Sequence, residues 1–162
     1  MPELLIRDVH ADDHDEWVQL YAGYREFYRL DPDPAAVDTT FSWVTTGEHA
    51  LRGLVAVDSS GRLVAFANLR VFARPSAGRT ALFLDDLFTA PGARGLGAGA
   101  ALLARAAELA AEGGHVVVRW LTASDNSTAR SLYDRVATVT PYVTYDMPPA
   151  GDPLSRGRTE SR

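Results

Sequence analysis

The sequence predicts a mixed α/β domain built on one sheet, and three observations predict it. Short apolar runs bounded by turn residues recur along the chain, as strands do. Between them lie stretches whose apolar residues return at helical spacing. The 162 residues are the length of one ordinary domain, with no internal repeat and no linker-like segment to divide them.

The elements follow in the order β-α-α-β-β-β-α-β-α-β. "LLIRDV" (Leu4 to Val9) reads as a first strand, and Asp12 and Asp13 after it are good helix N-caps. Trp17, Leu20, Tyr21, Tyr24, Phe27 and Tyr28 then recur as one aromatic helix face running to about Leu30. "DPDP" stops that helix. Asp33-Pro34 can cap and open a second one through about Val44. "LVAVDSSGRLVAFANLRVF" is a hairpin, two apolar runs around a Ser-Ser-Gly turn. Thr80 to Thr89 is a further strand, and Gly99 to about Glu112 is a helix stopped by Gly113-Gly114. His115 to Ala123 is another strand, Ser127 to Val136 a short helix, and Pro141 to Met147 a last strand. The domain is expected over residues 1–148. The tail 149–162 has little to bury and is expected to be disordered.

Composition removes several function classes. A net charge of -5 is unlike the basic footprint of a nucleic-acid binder. The chain has no cysteine, which excludes disulfides, thiolate metal sites and Cys nucleophiles. All 16 basic residues are arginine, so a Walker lysine and a Schiff-base lysine are excluded as well. No run approaches the roughly 18 apolar residues of a membrane span, and "MPELLIRDVHADD" lacks a signal-peptide pattern. A cytoplasmic protein without a membrane or nucleic-acid partner is expected. His10, His14, His49 and His115 show no metal-ligand spacing, so no metal is expected.

The chemistry concentrates in "FLDDLFTAPGARGLGAGAALLARA", Phe83 to Ala106. Arg94, Gly97 and Gly99 form R-x-x-G-x-G at a strand-to-helix junction, within a run of Arg94, Gly95, Leu96, Gly97, Ala98 and Gly99. Glycine there permits positive φ and close ligand approach. A helix start offers unsatisfied N–H groups and a positive dipole end, and Arg94 adds a charge-assisted contact, so the loop suits phosphate. Gly95, Gly97 and Ala100 also satisfy the dinucleotide fingerprint G-x-G-x-x-A. That reading needs an acid closing the next strand, and Asp125 comes too late, which leaves a dinucleotide-binding oxidoreductase a weak alternative.

Pro91, Arg94, Gly97 and Gly99 followed by "AALL" resemble the acyl-CoA loop of the GNAT superfamily of N-acetyltransferases. The resemblance extends to "LDDLFTAP" before the loop and to Asn126, Ala129 and Tyr133, which match N-x-x-A-x-x-x-Y. "RWLTASDN" and "YVTYDM" are most similar to the branch with histone/polyamine and small-amine acetyltransferases. It implies a mixed, mainly antiparallel sheet flanked by helices, with acetyl-CoA in a V between the fourth and fifth strands. The pyrophosphate would lie on the N–H groups of Arg94 to Gly99, and the pantetheine would pair with the backbone of Leu87, Phe88 and Thr89. Thr89 replaces the apolar residue commonest there, a change of little consequence if backbone atoms bind. The activity implied is acetyl transfer to a primary amine; a non-catalytic acyl-CoA-binding module is the alternative. A homodimer built through the last strand is a further implication.

Two proton problems define the remaining residues. An alkylamine of pKa about 10.4 costs about 4–5 kcal/mol to neutralise at pH 7, and the thiolate leaving group needs a proton. By resemblance Tyr133 supplies that proton; by spacing alone it is equally a core residue of Ala129, Leu132, Tyr133 and Val136. Period-2 geometry sends Asp85 and Asp86 to opposite faces of an apolar strand. Each can be half of an ion pair with Arg70 or Arg119. By resemblance Asp85 passes the amine proton to solvent through water and the Leu87 N–H receives the oxyanion, while Asp86 can anchor a cationic substrate. Asn126 can cap the Tyr133 helix, touch the cofactor, or both. Tyr24 and Tyr28 are core or substrate wall, and Asp31 and Asp33 are caps or cation contacts.

Overall fold

The structure is a computed structural model that describes residues 3–151. The tail expected after residue 148 therefore lies mostly outside the described residues. The chain divides into two compact units at the Ala123–Ser124 boundary, and each is described by itself.

In the first unit a strand β1 (Leu5–Asp8) leads into helix α1 (His14–Phe27). Asp13 precedes that helix, but its carboxylate turns back: it accepts from both Arg7 terminal nitrogens at 2.7 and 2.8 Å and from the His10 N–H at 2.7 Å. The fork ties the strand end to the helix start, and the guanidinium holds the Asp13 carboxyl below the usual range. Helix α2 (Pro34–Thr46) begins as its sequence dictates, with Asp33 accepting from the Ala36 N–H at 3.0 Å and proline in the first turn. It stops at Gly47, whose φ of 78° is the left-handed conformation that glycine adopts freely. Asp33→Ala is expected to cost about 1 kcal/mol, or about 2–4 °C in melting temperature. Thermal unfolding of the variant beside the parent checks it.

Strands β2 (Leu51–Val57), β3 (Leu63–Arg74) and β4 (Arg79–Thr89) follow, then helix α3 (Ala98–Glu112) and strand β5 (Val118–Trp120). The sheet order is β1-β2-β3-β4-β5; the first four strands are antiparallel and β5 joins β4 in parallel. On one face α1 and α2 bury Trp17, Leu20, Tyr21, Val37, Phe41 and Val44 against Val55, Val57, Leu63, Phe66 and Phe88. Gly23 lets α1 press onto the sheet: a Cβ there would lie 3.2 Å from the Phe88 ring. Helix α3 packs on β2, β3 and β4 and buries Leu102, Leu103, Ala106, Leu109 and Ala110. No helix among the described residues is long and apolar enough to cross a membrane.

The second unit holds helix α4 (Ser127–Val136), capped by Asn126, whose side chain accepts from the Ala129 N–H at 3.3 Å. The expected last strand, Pro141 to Met147, is not formed: these residues join no ladder, and Tyr142, Val143, Tyr145 and Met147 are 72–93% exposed. Alternation alone does not make a strand, which needs a partner edge to satisfy its backbone. The fifth strand is likewise three residues rather than the nine expected from His115 to Ala123.

Candidate active site

The β3–β4 ladder carries a single irregularity, and it falls at the acidic pair. Asn68 faces Asp86 and Leu69 faces Leu84, so Asp85 is an extra residue bulged out of the register. A bulge breaks the period of two. Asp85 and Asp86 therefore do not point to opposite faces; both meet side chains from one face of β3, Arg70 and Asn68, which stand two residues apart.

Their partners differ in kind. Arg70 Nε donates to both Asp85 oxygens at 3.1 and 2.9 Å, while its guanidinium lies 4.7 Å over the Phe83 ring. Burial raises the Asp85 carboxyl above its ordinary range, and Arg70 opposes that rise. Asp86 instead accepts from a neutral donor, Asn68 Nδ2, at 2.8 Å. Two tyrosines of α1, Tyr21 and Tyr24, and Tyr28 at its C-cap feel the Asp86 charge. Burial first and Asp86 second push the Tyr21 phenol up to about 12, and they drive the Tyr24 phenol far above the phenol range. Tyr28 is raised for the same reasons in the same order. All three are therefore protonated at neutral pH. Tyr24 stacks on Tyr21 at 5.4 Å and leans on Tyr28 at 4.8 Å, making a wall that runs from buried Tyr21 to Tyr28, 43% exposed.

Along β4 the backbone keeps β3 as its partner throughout but loses β5 on the other side. The parallel ladder with β5 pairs Leu82 with Val118, Phe83 with Arg119 and Leu84 with Trp120, and stops there. Leu87, Phe88 and Thr89 continue paired with Ala67, Phe66 and Ala65 of β3. The sheet thus parts between β4 and β5 at the level of the acidic pair. The Phe88 ring is buried in the α1 core, which leaves only its backbone for a ligand in that opening.

Beyond Thr89 the chain makes one turn at Pro91–Ala93 and extends through Arg94. Gly95 and Gly97 then take φ values of 82° and 84°. Gly97 is the N-cap of α3, with no side chain to satisfy the first-turn N–H groups and no acid in that turn. These are the conditions under which a helix start holds an anion. Arg94 leans over the Phe27 ring, 5.9 Å from its centroid, beside a groove of about 710 Å³ between α1 and the loop. Tyr133 and Asn126 belong to the second unit, on α4 and at its cap. The first unit brings together Asp85, Asp86, Tyr24 and Tyr28 and sets the Arg94 to Gly99 loop at the end of the same strand. Sequence reasoning missed Asn68; its signal was one amide in an otherwise apolar run, "LVAFANL". Among the described residues no group of three metal-binding side chains forms.

Comparison with known proteins places the chain in a family and a fold. The acetyltransferase (GNAT) family profile matches residues 15–137. An uncharacterized N-acetyltransferase of Bacillus subtilis, YhfO, is 31% identical over 130 residues, 80% of this chain and 86% of that protein. The D-amino-acid N-acetyltransferase HPA3 of Saccharomyces cerevisiae is 27% identical over 143 residues, 88% of this chain and 89% of that protein. The fold is shared with AAC(6')-Iy, solved in complex with the bisubstrate analogue CoA-S-monomethyl-acetylneamine. The TM-score is 0.75 at 18% identity, covering 89% of this chain and 97% of the other. The chain belongs to the acetyltransferase (GNAT) family, whose reaction is acetyl transfer from acetyl-CoA to an amine.

Proposed function

We propose that this protein transfers acetyl from acetyl-CoA to a primary amine by direct attack, with no covalent enzyme intermediate. The observation that carries the reading is the halt of the β4–β5 ladder at Leu84, directly ahead of an uncapped helix start at Gly97. Together these offer a strand edge for the amide-bearing pantetheine arm and a cradle of N–H groups for the pyrophosphate.

The Leu87 N–H, on the strand beside the opening, receives the oxyanion as the amine attacks the thioester carbonyl. A C–N bond forms and the C–S bond breaks. The sulfur leaves with a proton from Tyr133. Of the two protons the ammonium sheds, one goes to solvent by the acidic pair, Asp85 acting through water, and the other, by exchange with solvent, restores the Tyr133 phenol. The acceptor arrives as an ammonium, which suits a face with two carboxylates and a tyrosine wall. The relative that acts on D-amino acids supports an amino acid as one candidate acceptor. The exposed alternation of Val143, Tyr145 and Met147 supports pairing of two copies through that segment.

Thermal unfolding with acetyl-CoA, and separately with NAD, tests the loop. Ligand at about 100 times its dissociation constant should stabilise by about 2.7 kcal/mol, roughly 5–10 °C for a domain of this size. The shift is expected with acetyl-CoA and not with NAD. Release of CoA thiol on adding an amine then tests transfer, with no protein thiol to interfere. A shift with NAD alone overturns the reading. Binding of acetyl-CoA without thiol release from any primary amine would make the protein a carrier rather than an enzyme.

A further inference from the structure

Asn68 is 0% exposed and stands at the centre of β3, two residues from Phe66 and two from Arg70. Its Nδ2 donates to Asp86 Oδ2 at 2.8 Å. An ionised carboxylate only accepts, so this contact fixes which way the amide lies: nitrogen toward Asp86, oxygen away. The oxygen that remains, Asn68 Oδ1, is buried and meets no donor. An orphaned acceptor of this kind costs about 1–3 kcal/mol, and native proteins keep one where a water or a ligand fills it.

The surroundings say what would fill it. Arg70, the cation next along the strand, is held by Asp85. Arg25 of α1 donates from a terminal nitrogen to the Asp31 carbonyl at 2.8 Å, and its Nε is buried with no acceptor. Among the described residues no guanidinium pairs with Asp86. Asp86 accepts from a neutral donor, Asn68, with an unused acceptor beside it. The balance is one negative charge and a surplus of acceptors, bounded by aromatic rings. A primary ammonium has the complementary set: a positive charge and three N–H donors. A tyrosine wall favours the same group through cation–π attraction.

We propose that Asn68 and Asp86 are a two-point seat for the acceptor's ammonium group, Asn68 Oδ1 taking one N–H and the Asp86 carboxylate another. Asp85, held by Arg70, lies outside the seat. Asparagine serves here where a third acid would not: it adds an acceptor without adding charge, and its amide end holds the carboxylate in place. That the seated cation is the acetyl acceptor rests on the acetyltransfer reading; the seat itself does not.

The test uses Asn68→Leu, branched in the same way and without polar atoms, and Asp86→Asn. Asn68→Leu also removes the donor to Asp86, so a somewhat lower melting temperature is expected; a single cooperative transition and a retained acetyl-CoA shift show that the fold is intact. Calorimetry with n-butylammonium chloride, and with 1-butanol as the neutral control, reads the seat directly. The parent should bind the ammonium and not the alcohol, and each variant should lose about tenfold in affinity, the loss of one charged hydrogen bond. With any amine that supports thiol release, KM for the amine should rise by a similar factor in Asn68→Leu while kcat changes little. Equal ammonium affinity in parent and Asn68→Leu would assign the orphaned oxygen to a bound water and overturn the seat, as would a parent that does not prefer ammonium to alcohol. If Asn68→Leu does not fold, Asp86→Asn carries the same comparison. Failure of the acetyltransfer reading is a separate result: no thiol release from any amine, whatever the calorimetry shows.

Discussion

Tyr133→Phe is expected to lower kcat by about 100-fold or more while acetyl-CoA binds as before. The substitution removes one oxygen and keeps the ring. Helix α4 should therefore keep its packing, and its start is fixed independently by the Asn126 cap on Ala129. A phenol of pKa near 10 is protonated at neutral pH and is matched to a thiolate that must gain a proton. Loss of a positioned general acid costs about 10²–10⁴ in rate. Since the acid acts on the departing sulfur and not on the bound ground state, the loss belongs in kcat. Steady-state kinetics, with a separate acetyl-CoA titration by thermal shift, checks both halves. Unchanged kcat would remove the acid role and leave Tyr133 a packing residue.

Gly97→Val should weaken acetyl-CoA binding by about 100-fold or more. Gly97 sits at a φ of 84°, where a β-branched side chain is strained by about 1–3 kcal/mol. Relief of that strain moves the first turn of α3, whose N–H groups have no side-chain cap. Hydrogen bonds to a charged group contribute about 1.5–3 kcal/mol each, so misdirecting two of them accounts for the factor. Gly97→Asn is the control, because asparagine tolerates the left-handed region; it should retain most of the affinity. Isothermal titration with acetyl-CoA on the folded variants decides it. Normal affinity in Gly97→Val would mean that the loop is a turn and not a phosphate cradle.

What could be read from the sequence was what local chemistry determines. Asp33-Pro34 and Gly47 bound α2 through capping and a left-handed stop, and both act within a few residues. The Arg94 to Gly99 loop is legible for the same reason: its glycines and the helix after it are contiguous. The faces of Asp85 and Asp86 were not legible, because a bulge is a property of two strands and is invisible in either one. The segment from Pro141 to Met147 has the alternation of a strand, yet pairing depends on an edge long enough to receive it. Asn68 looked unremarkable among alanines and leucines. Its meaning comes from a carboxylate that lies 18 residues away in sequence and opposite it in the ladder.

Because the β4–β5 ladder halts at Leu84, the proposed docking uses parts of the cofactor that its spent form also carries. Pantetheine and pyrophosphate are common to acetyl-CoA and CoA; only the acetyl group tells them apart. Binding shared by substrate and product in this way tightens the complex without speeding the chemistry. Free CoA would then compete for the empty rung almost as well as its acetylated form. The rate in a mixture of the two would follow their ratio more closely than the concentration of acetyl-CoA.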